Sequence, residues 1–233
     1  MSGVNQSGPI DRNVKVSVIV AVYNQQEYIG RCLRSILQQT MPHNDYEVIV
    51  VDDGSSDQTS YALQLFCDPS DSPINVVTNT ENIGLPASLN KALRLARGKY
   101  VVRVDSDDFV NTNFLNFLHY YLETNSVADA VACDYLLIDD EENEIGRCRS
   151  EENPIACGIM FRIQSLIDIE FYDEKFRCNE ERDLMIRFKK QHCLHHLSIP
   201  LYRYRRHSTN MTNDKELITR YDNELVNKHG DEI

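Results

Sequence analysis

The chain has 233 residues, which is enough for one domain with a sizeable core. Its formal net charge is −12 at pH 7, which argues against a nucleic-acid-binding protein because phosphate backbones are held by clustered Lys and Arg. The amino terminus lacks the basic start and apolar centre of a signal peptide, and no apolar run reaches the roughly 18 residues of a membrane span. We therefore expect a cytoplasmic protein without a transmembrane segment.

The first half of the chain alternates predicted strands with predicted helices. After a polar segment at residues 1–13, which we interpret as a flexible leader, β-branched runs predict strands buried on both faces of a parallel sheet. These runs are Val14–Val22, Tyr46–Val51, Ile74–Thr78 and Tyr100–Val104. Apolar residues recur at helical spacing between them. The alternation predicts an α/β fold in which ligands bind beyond the carboxyl ends of the strands.

Three of these strands end in polar or acidic residues that should meet at one edge of the sheet. They are Tyr23 and Asn24, then Asp52 and Asp53, then Asp105, Ser106, Asp107 and Asp108. Closely spaced carboxylates need a compensating charge, and Asp oxygens are ligands that Mg²⁺ and Mn²⁺ accept. The alternative is a solvated turn in which Asp and Ser cap a helix that begins near Asn111. The expected convergence of the three strand ends favours a ligand site.

The second half departs from this alternation. A predicted strand at Ala128–Ile138 leads into the acidic run Asp139–Glu142, which we interpret as a solvated hairpin turn without chemistry. Another predicted strand, Leu197–Arg206, ends at His207. Residues 213–233 form a predicted polar helix whose apolar face could pack on the domain or on a neighbour.

A further group of acids lies at the start of a predicted helix, at Glu180, Glu181 and Asp183. One of these carboxylates could act as a general base. The same acids could instead complement the helix dipole, with Asp183 pairing with Arg187 one turn later. The residues alone leave both interpretations open. The seven cysteines are scattered and include no C-x-x-C pair, so we expect free thiols and no zinc or redox site.

Together these segments resemble the family 2 glycosyltransferases, inverting enzymes with a GT-A fold, from about Val14 to about His207. Residues 16–24 look like the family's opening strand and nucleotide loop, and residues 50–57 resemble its base-binding turn. Residues 98–108 look like the strand that ends in the metal-binding D-x-D motif. Each motif alone is modest, but the three in this order and spacing are specific.

The resemblance implies a fold and a division of the chain. It implies a Rossmann-like single domain at residues 14–208, with a mixed, mostly parallel central sheet flanked by helices. Residues 14–110 would form the nucleotide-binding half and residues 111–208 the acceptor-binding half. Residues 209–233 would form a C-terminal helical tail.

The resemblance also implies roles for individual residues. Asp107 would hold Mn²⁺ or Mg²⁺, with Asp105 and Asp108 nearby and His207 completing the coordination. Asp53 would accept a hydrogen bond from the nucleotide base. The other residues expected around the donor are Ala21, Tyr23, Asn24, Asp52, Asn82, Arg103, Asp105 and Ser106.

The general base is the point where this chain departs from the family pattern. The family usually reads Glu-Asp-x-Asp-Leu, and the second acid is the base. That position is Glu181 here, so a longer side chain replaces Asp. Glu180 and Asp183 therefore remain candidates beside it.

The implied reaction moves a sugar from a nucleotide-diphosphate sugar, with UDP as the expected carrier, to a hydroxyl of a carbohydrate or lipid-linked acceptor in surface polysaccharide synthesis. The resemblance implies a cytoplasmic location that includes peripheral association with the inner membrane face. Two alternatives stay open. One is a non-catalytic nucleotide-sugar or metal-binding module that has lost its base. The other is a nucleotidyltransferase, although residues 23–27 lack the Gly, Arg and Lys that a triphosphate-binding loop needs.

Overall fold

The computed structural model describes residues 14–67, 72–207 and 215–230. The predicted leader at residues 1–13 lies outside the described residues. Nine strands in the described part form one sheet: β1 Val16–Val22, β2 Tyr46–Asp52, β3 Ile74–Thr78, β4 Tyr100–Arg103, β5 Phe109–Val110, β6 Ala130–Ile138, β7 Glu144–Cys148, β8 Ile159–Arg162 and β9 Leu194–Arg205. The helices are α1 Ile29–Leu37, α2 Thr59–Gln64, α3 Leu85–Leu95, α4 Phe114–Thr124, α5 Ile163–Asp168, α6 Glu180–Lys189 and α7 Lys215–His229.

The strand order is β3-β2-β1-β4-β8-β6-β9-β5, with β7 paired to β6. The strands of the first half pair in parallel, since β1 lies between β2 and β4 and β2 also pairs with β3. Strand β8 runs antiparallel between β4 and β6, whereas β6 and β9 are parallel. This arrangement confirms the predicted α/β fold with a mixed, mostly parallel sheet flanked by helices. The carboxyl ends of β1, β2 and β4 meet at one edge, as expected.

Alternation along the strands builds a core on each face of the sheet. In β1, Val18 and Val20 face the layer of α1 and α4, where they join Leu33 and Leu118. The residue between them, Ile19, faces α3 and α6 on the other side. Successive strand residues point to opposite faces, so this alternation fixes which strand-end side chains can reach the ligand edge.

Several strand ends differ from the sequence expectation by one or two residues, and two element starts differ by about three. The helix expected near Asn111 begins at Phe114, because the short strand β5 pairs with β9 just before it. Strand β9 begins at Leu194, earlier than the predicted Leu197, because His195 and His196 continue the pairing with β6. None of the helices in the described ranges combines the length and the apolar character that a membrane-crossing segment needs.

Candidate functional site

A cleft of about 1170 Å³ opens at the carboxyl ends of β1, β2 and β4 and is closed on its far side by the start of α6. It collects thirteen of the predicted site residues: Ala21, Tyr23, Asn24, Asp53, Asn82, Arg103, Asp105, Ser106, Asp107, Asp108, Glu180, Glu181 and His207. Two predicted site residues, Asp52 and Asp183, do not line it. The cleft therefore brings the donor-side and acceptor-side predictions together.

The turn after β2 separates two neighbouring acids. Asp52 is completely buried and accepts hydrogen bonds from the Ser55 amide at 3.0 Å and the Ser60 hydroxyl at 2.6 Å, so it shapes the turn from inside. Gly54 makes this turn possible. Its φ is +73°, and a Cβ atom there would lie 2.8 Å from the backbone of Glu81.

Asp53 faces the cleft and is held by the loop that follows β3. Its carboxylate accepts hydrogen bonds from the Asn79 side-chain amide at 2.8 Å and from the Ile83 and Gly84 backbone amides at 2.9 Å each. A carboxylate has about four acceptor positions, so Asp53 keeps capacity for one further donor. This geometry suits the expected contact with a nucleotide base.

The loop after β1 is tied to the same region. Asn24 has a left-handed backbone with φ 51°, and its side-chain oxygen accepts a hydrogen bond from the Ser56 amide at 2.8 Å. Asn24 thus fixes one loop to the other. Tyr23 beside it is 45% exposed at the cleft, where its ring is available for stacking.

The acids after β4 differ in their surroundings. Asp108 is buried and accepts hydrogen bonds from the Tyr202 hydroxyl and the Arg205 amide, each at 2.7 Å. Burial, reinforced by the neighbouring Asp107 charge, raises the pKa of Asp108 well above its usual range. Burial also raises the pKa of Asp105, although its bond to Arg103 opposes the shift. Both shifts describe carboxylates that lack sufficient positive charge.

The same cluster offers side-chain atoms of the kinds that a divalent cation accepts. Asp107 Oδ2 lies 2.9 Å from His207 Nε2, and the His207 ring stacks on Tyr28 with centroids 5.0 Å apart. One possible ligand atom from each of Asp105, Asp108 and Cys157 lies within 4.8 Å of the others. Carboxylate and imidazole ligands with an excess of negative charge fit Mn²⁺ or Mg²⁺. The sequence analysis missed Cys157, because nothing in its local pattern signals proximity to β4.

Arg103 connects the donor acids to the acceptor acids. Its Nε lies 2.5 Å from Asp105 Oδ1, and its Nη1 lies 2.9 Å from Glu180 Oε1. Burial opposes the charge of the guanidinium, but the two carboxylates outweigh it and raise the pKa of Arg103. The predicted donor-binding role of Arg103 stays a prediction, and its contacts add a bridging role across the cleft.

The acids of α6 take three different positions. Glu180 is buried against Arg103, whereas Glu181 lines the cleft and remains partly exposed. Burial and the charge of Glu180 raise the pKa of Glu181 to about 7.

The third acid of the group, Asp183, points away from the cleft. It is fully buried and bound by Arg187, Lys228 and His229 at 2.6–2.9 Å. These bonds lower its pKa even though burial alone would raise it. The alternative reading of Asp183 as the partner of Arg187 matches this geometry, and the structure does not bring it to the reaction site.

The acidic hairpin between β6 and β7 is an exposed turn at Asp140, Glu141 and Glu142, as predicted, but it makes contacts that the sequence did not indicate. Asp140 lines the cleft and accepts a hydrogen bond from the Tyr28 hydroxyl at 3.2 Å. Glu142 pairs with Arg31 at 2.9 Å and with Arg205 at 3.3 Å. These ion pairs were not predicted, because both arginines come from distant elements that the local sequence does not connect to the hairpin.

A family model described as Glycosyl transferase family 2 matches residues 17–198. The chain is 39% identical over 103 residues to a poly(ribitol-phosphate) beta-glucosyltransferase of Bacillus spizizenii, covering 44% of this chain and 16% of that protein. It is 32% identical over 127 residues to the glycosyltransferase GlyG of Streptococcus pneumoniae, covering 54% of this chain and 41% of that protein. The chain thus spans well under half of these relatives.

Solved structures show the same fold. Staphylococcus aureus TarS 1–349 in complex with UDP-GlcNAc superposes with a TM-score of 0.76 at 23% identity, covering 92% of this chain and 67% of that chain. The mannosyltransferase PcManGT of Pyrobaculum calidifontis, in complex with GDP-Man and Mn²⁺, gives 0.72 at 20% identity, covering 92% of this chain and 63% of that chain. At these identities the likeness establishes the GT-A-type fold alone.

Proposed function

Because this chain belongs to glycosyl transferase family 2, we propose that it transfers a sugar from a nucleotide-diphosphate sugar to a hydroxyl group of a carbohydrate or lipid-linked acceptor, with inversion at the anomeric carbon. One observation carries the proposal. A single cleft holds Asp53 and the acids after β4 on one wall, which we call the donor wall. Glu181 lies on the facing wall, which we call the acceptor wall. Such a cleft can bind a charged donor and deprotonate an acceptor at the same place.

We infer that the donor wall recognises the nucleotide and its phosphates. Asp53 accepts a hydrogen bond from the base, and Tyr23 stacks on it. A divalent cation held by Asp107 and His207, with Asp105 and Asp108 nearby, would neutralise charge on the departing nucleoside diphosphate. UDP is the proposed nucleotide, which is also the nucleotide in the TarS complex.

The acceptor wall supplies the base in this proposal. Glu181 takes the proton of the acceptor hydroxyl. The hydroxyl oxygen attacks the anomeric carbon at the same time, and the bond from that carbon to the diphosphate breaks. A pKa of about 7 suits this role, because a base is most effective when its pKa lies near the working pH. Glu180 is less suited because Arg103 already occupies its carboxylate. The names of two relatives point to poly(ribitol-phosphate) or a similar polymer as the proposed acceptor.

A donor panel tests the proposal in two steps. The melting temperature is measured with UDP-, GDP- and dTDP-sugars, each with and without Mn²⁺, because a ligand at a hundredfold over its Kd adds about 2.7 kcal/mol of stability. The stabilising donor is then incubated with candidate acceptors, and the configuration of the product is determined by NMR.

We expect one nucleotide to stabilise strongly, with Mn²⁺ required, and the product to carry the inverted linkage. Donor binding with neither transfer nor hydrolysis would favour the non-catalytic module. Absence of stabilisation by every donor would overturn the proposal.

A further inference from the structure

Helix α7 lies beyond the residues matched by the family model, yet it packs beside the cleft. Its residues Tyr221 and Leu225 are buried against Phe176 and Cys178, which immediately precede α6. Ile218, one turn before Tyr221, lines the cleft itself. The helix therefore forms part of the acceptor-side wall and is not a separate appendage.

Polar residues of α7 bind the first turn of α6 at two points. Asp222 accepts hydrogen bonds from the side-chain amide of Asn179 at 2.9 Å and from the guanidinium of Arg182. Farther along α7, Lys228 and His229 bind the buried carboxylate of Asp183. The contacted residues stand on both sides of Glu181 in the sequence. The turn that carries Glu181 is thus bound to α7 before and after it.

The start of α6 needs such support because its own cap is atypical. Asn179 sits at the N-cap with a left-handed backbone, φ 60° and ψ 20°, and its side chain makes no capping bond to the helix. An N-cap Asn usually accepts a hydrogen bond from the helix amides that follow it. Here the Asn179 side chain donates to Asp222, so it is held by α7 and does not cap α6.

The side chains of Glu180 and Glu181 are held in different ways. Glu180 is fixed by Arg103, which comes from the donor half. Among the described residues, the Glu181 side chain makes no hydrogen bond or ion pair. The direction of this side chain therefore depends on the backbone of the turn. That backbone is set by Asn179, whose carbonyl accepts the amides of Arg182 at 3.1 Å and Asp183 at 3.2 Å.

We propose that Asp222 is a positioning residue for Glu181, and that α7 is an active-site element which aims the general base at the acceptor hydroxyl. The inference rests on the proposed function, in which Glu181 is that base. Asp222 acts through Asn179 and Arg182 and touches neither substrate. Its loss should leave donor binding intact, because the donor wall has no described contact with it.

The test compares Asp222→Ala with Glu224→Ala, a matched control on the same helix that pairs with Arg220 within α7. We expect Asp222→Ala to lower kcat at least tenfold while the KM for the donor and the donor-dependent shift in melting temperature stay unchanged. Asp222→Asn, which keeps one acceptor oxygen for Asn179, should restore part of kcat. Hydrogen exchange should accelerate at the amides of residues 182 and 183 in Asp222→Ala and stay at the parental rate in Glu224→Ala.

A second background separates this inference from the proposed function. In Glu181→Gln, adding Asp222→Ala should cause no further loss of kcat, because the group being positioned is already inactive. An equal further loss, an unchanged kcat in Asp222→Ala, or an equal fall in Glu224→Ala would overturn the positioning role. Full transfer by Glu181→Gln would instead refute the base assignment, and with it the statement that Asp222 acts through that base.

Discussion

The two walls of the cleft are stabilised in different ways. On the donor wall, Asp53 is held mainly by backbone amides of the next loop at the same sheet edge. On the acceptor wall, Glu180 and Asn179 are held by side chains from distant segments, Arg103 and Asp222. A backbone amide survives every substitution except proline, whereas a single side-chain change deletes an ion pair. The donor wall should therefore tolerate substitutions in distant elements that disturb the acceptor wall.

The largest effect is expected at the acceptor wall. Glu181→Gln keeps the shape of the side chain but cannot take a proton, so turnover should fall by roughly 10²- to 10⁴-fold while donor affinity survives. Transfer rate and donor-dependent melting shift are measured together. Glu151→Gln, at an exposed residue outside the cleft, serves as the control and should match the parent. If Glu180→Gln or Asp183→Asn abolishes transfer while Glu181→Gln does not, the base must be reassigned.

On the donor wall, substitution should weaken ligand binding instead of turnover alone. Asp107→Ala should abolish the Mn²⁺-dependent part of stabilisation by nucleoside diphosphate, which is about 2.7 kcal/mol at a hundredfold over Kd, because a metal-binding carboxylate is lost. Melting curves with UDP, with and without Mn²⁺, measure the effect. Asp45→Ala, at the amino end of β2, is a control with an intact cleft. Unchanged metal dependence in a folded Asp107→Ala protein would contradict the assignment.

A smaller effect, on donor affinity, is expected where Asp53 contacts the nucleotide base. Asp53→Ala should weaken donor binding by about 1.5–3 kcal/mol, the usual range for a hydrogen bond to a charged group. Titration calorimetry with the nucleotide alone measures it, and the melting temperature without ligand shows whether the loop stays folded. Equal affinity of mutant and parent would exclude contact between Asp53 and the base.

The last effect concerns the pH dependence of stability on the acceptor wall. The pKa of Glu181 is raised from 4.5 to about 7 in the folded protein, so the folded state binds this proton more tightly than the unfolded chain. This contribution to stability is fully present below pH 4.5 and is lost as pH rises to about 7. Glu181→Gln does not titrate, so its stability relative to the parent should increase across that window. Urea unfolding at a series of pH values checks this, and a flat difference would refute the raised pKa.

The donor wall was largely predictable because its signals are local. A β-branched run followed by acids marks a strand end, and parallel strands bring such ends to one edge. A local pattern does not show, however, which of two neighbouring side chains points into the cleft. Asp52 and Asp53 were both expected at the donor, but only Asp53 reaches the cleft, since successive residues at a strand end point in opposite directions.

The acceptor wall was less predictable because its contacts join distant segments. The pairing of Arg103 with Glu180 spans 77 positions and that of Tyr28 with Asp140 spans 112, and no periodicity connects such residues. The acidic hairpin was predicted to be solvated, and it is exposed, but its contacts with Tyr28, Arg31 and Arg205 could not be predicted for this reason. The sequence did identify an apolar face on the last helix, with Tyr221 and Leu225, but could not show that α6 covers it.

The bond between Asp222 and Asn179 has a consequence for the order of folding. The two residues are 43 positions apart, and Asp222 lies after every strand of the described sheet. The chain is synthesised from its amino terminus, so the residues of the sheet emerge before those of α7. A nascent chain that has emerged to His207 holds every strand of the described sheet and the residues of the donor wall, but the turn that carries Glu181 still lacks its partner. We expect such an intermediate to bind a nucleotide before it can catalyse, so that competence for transfer arrives with the last helix.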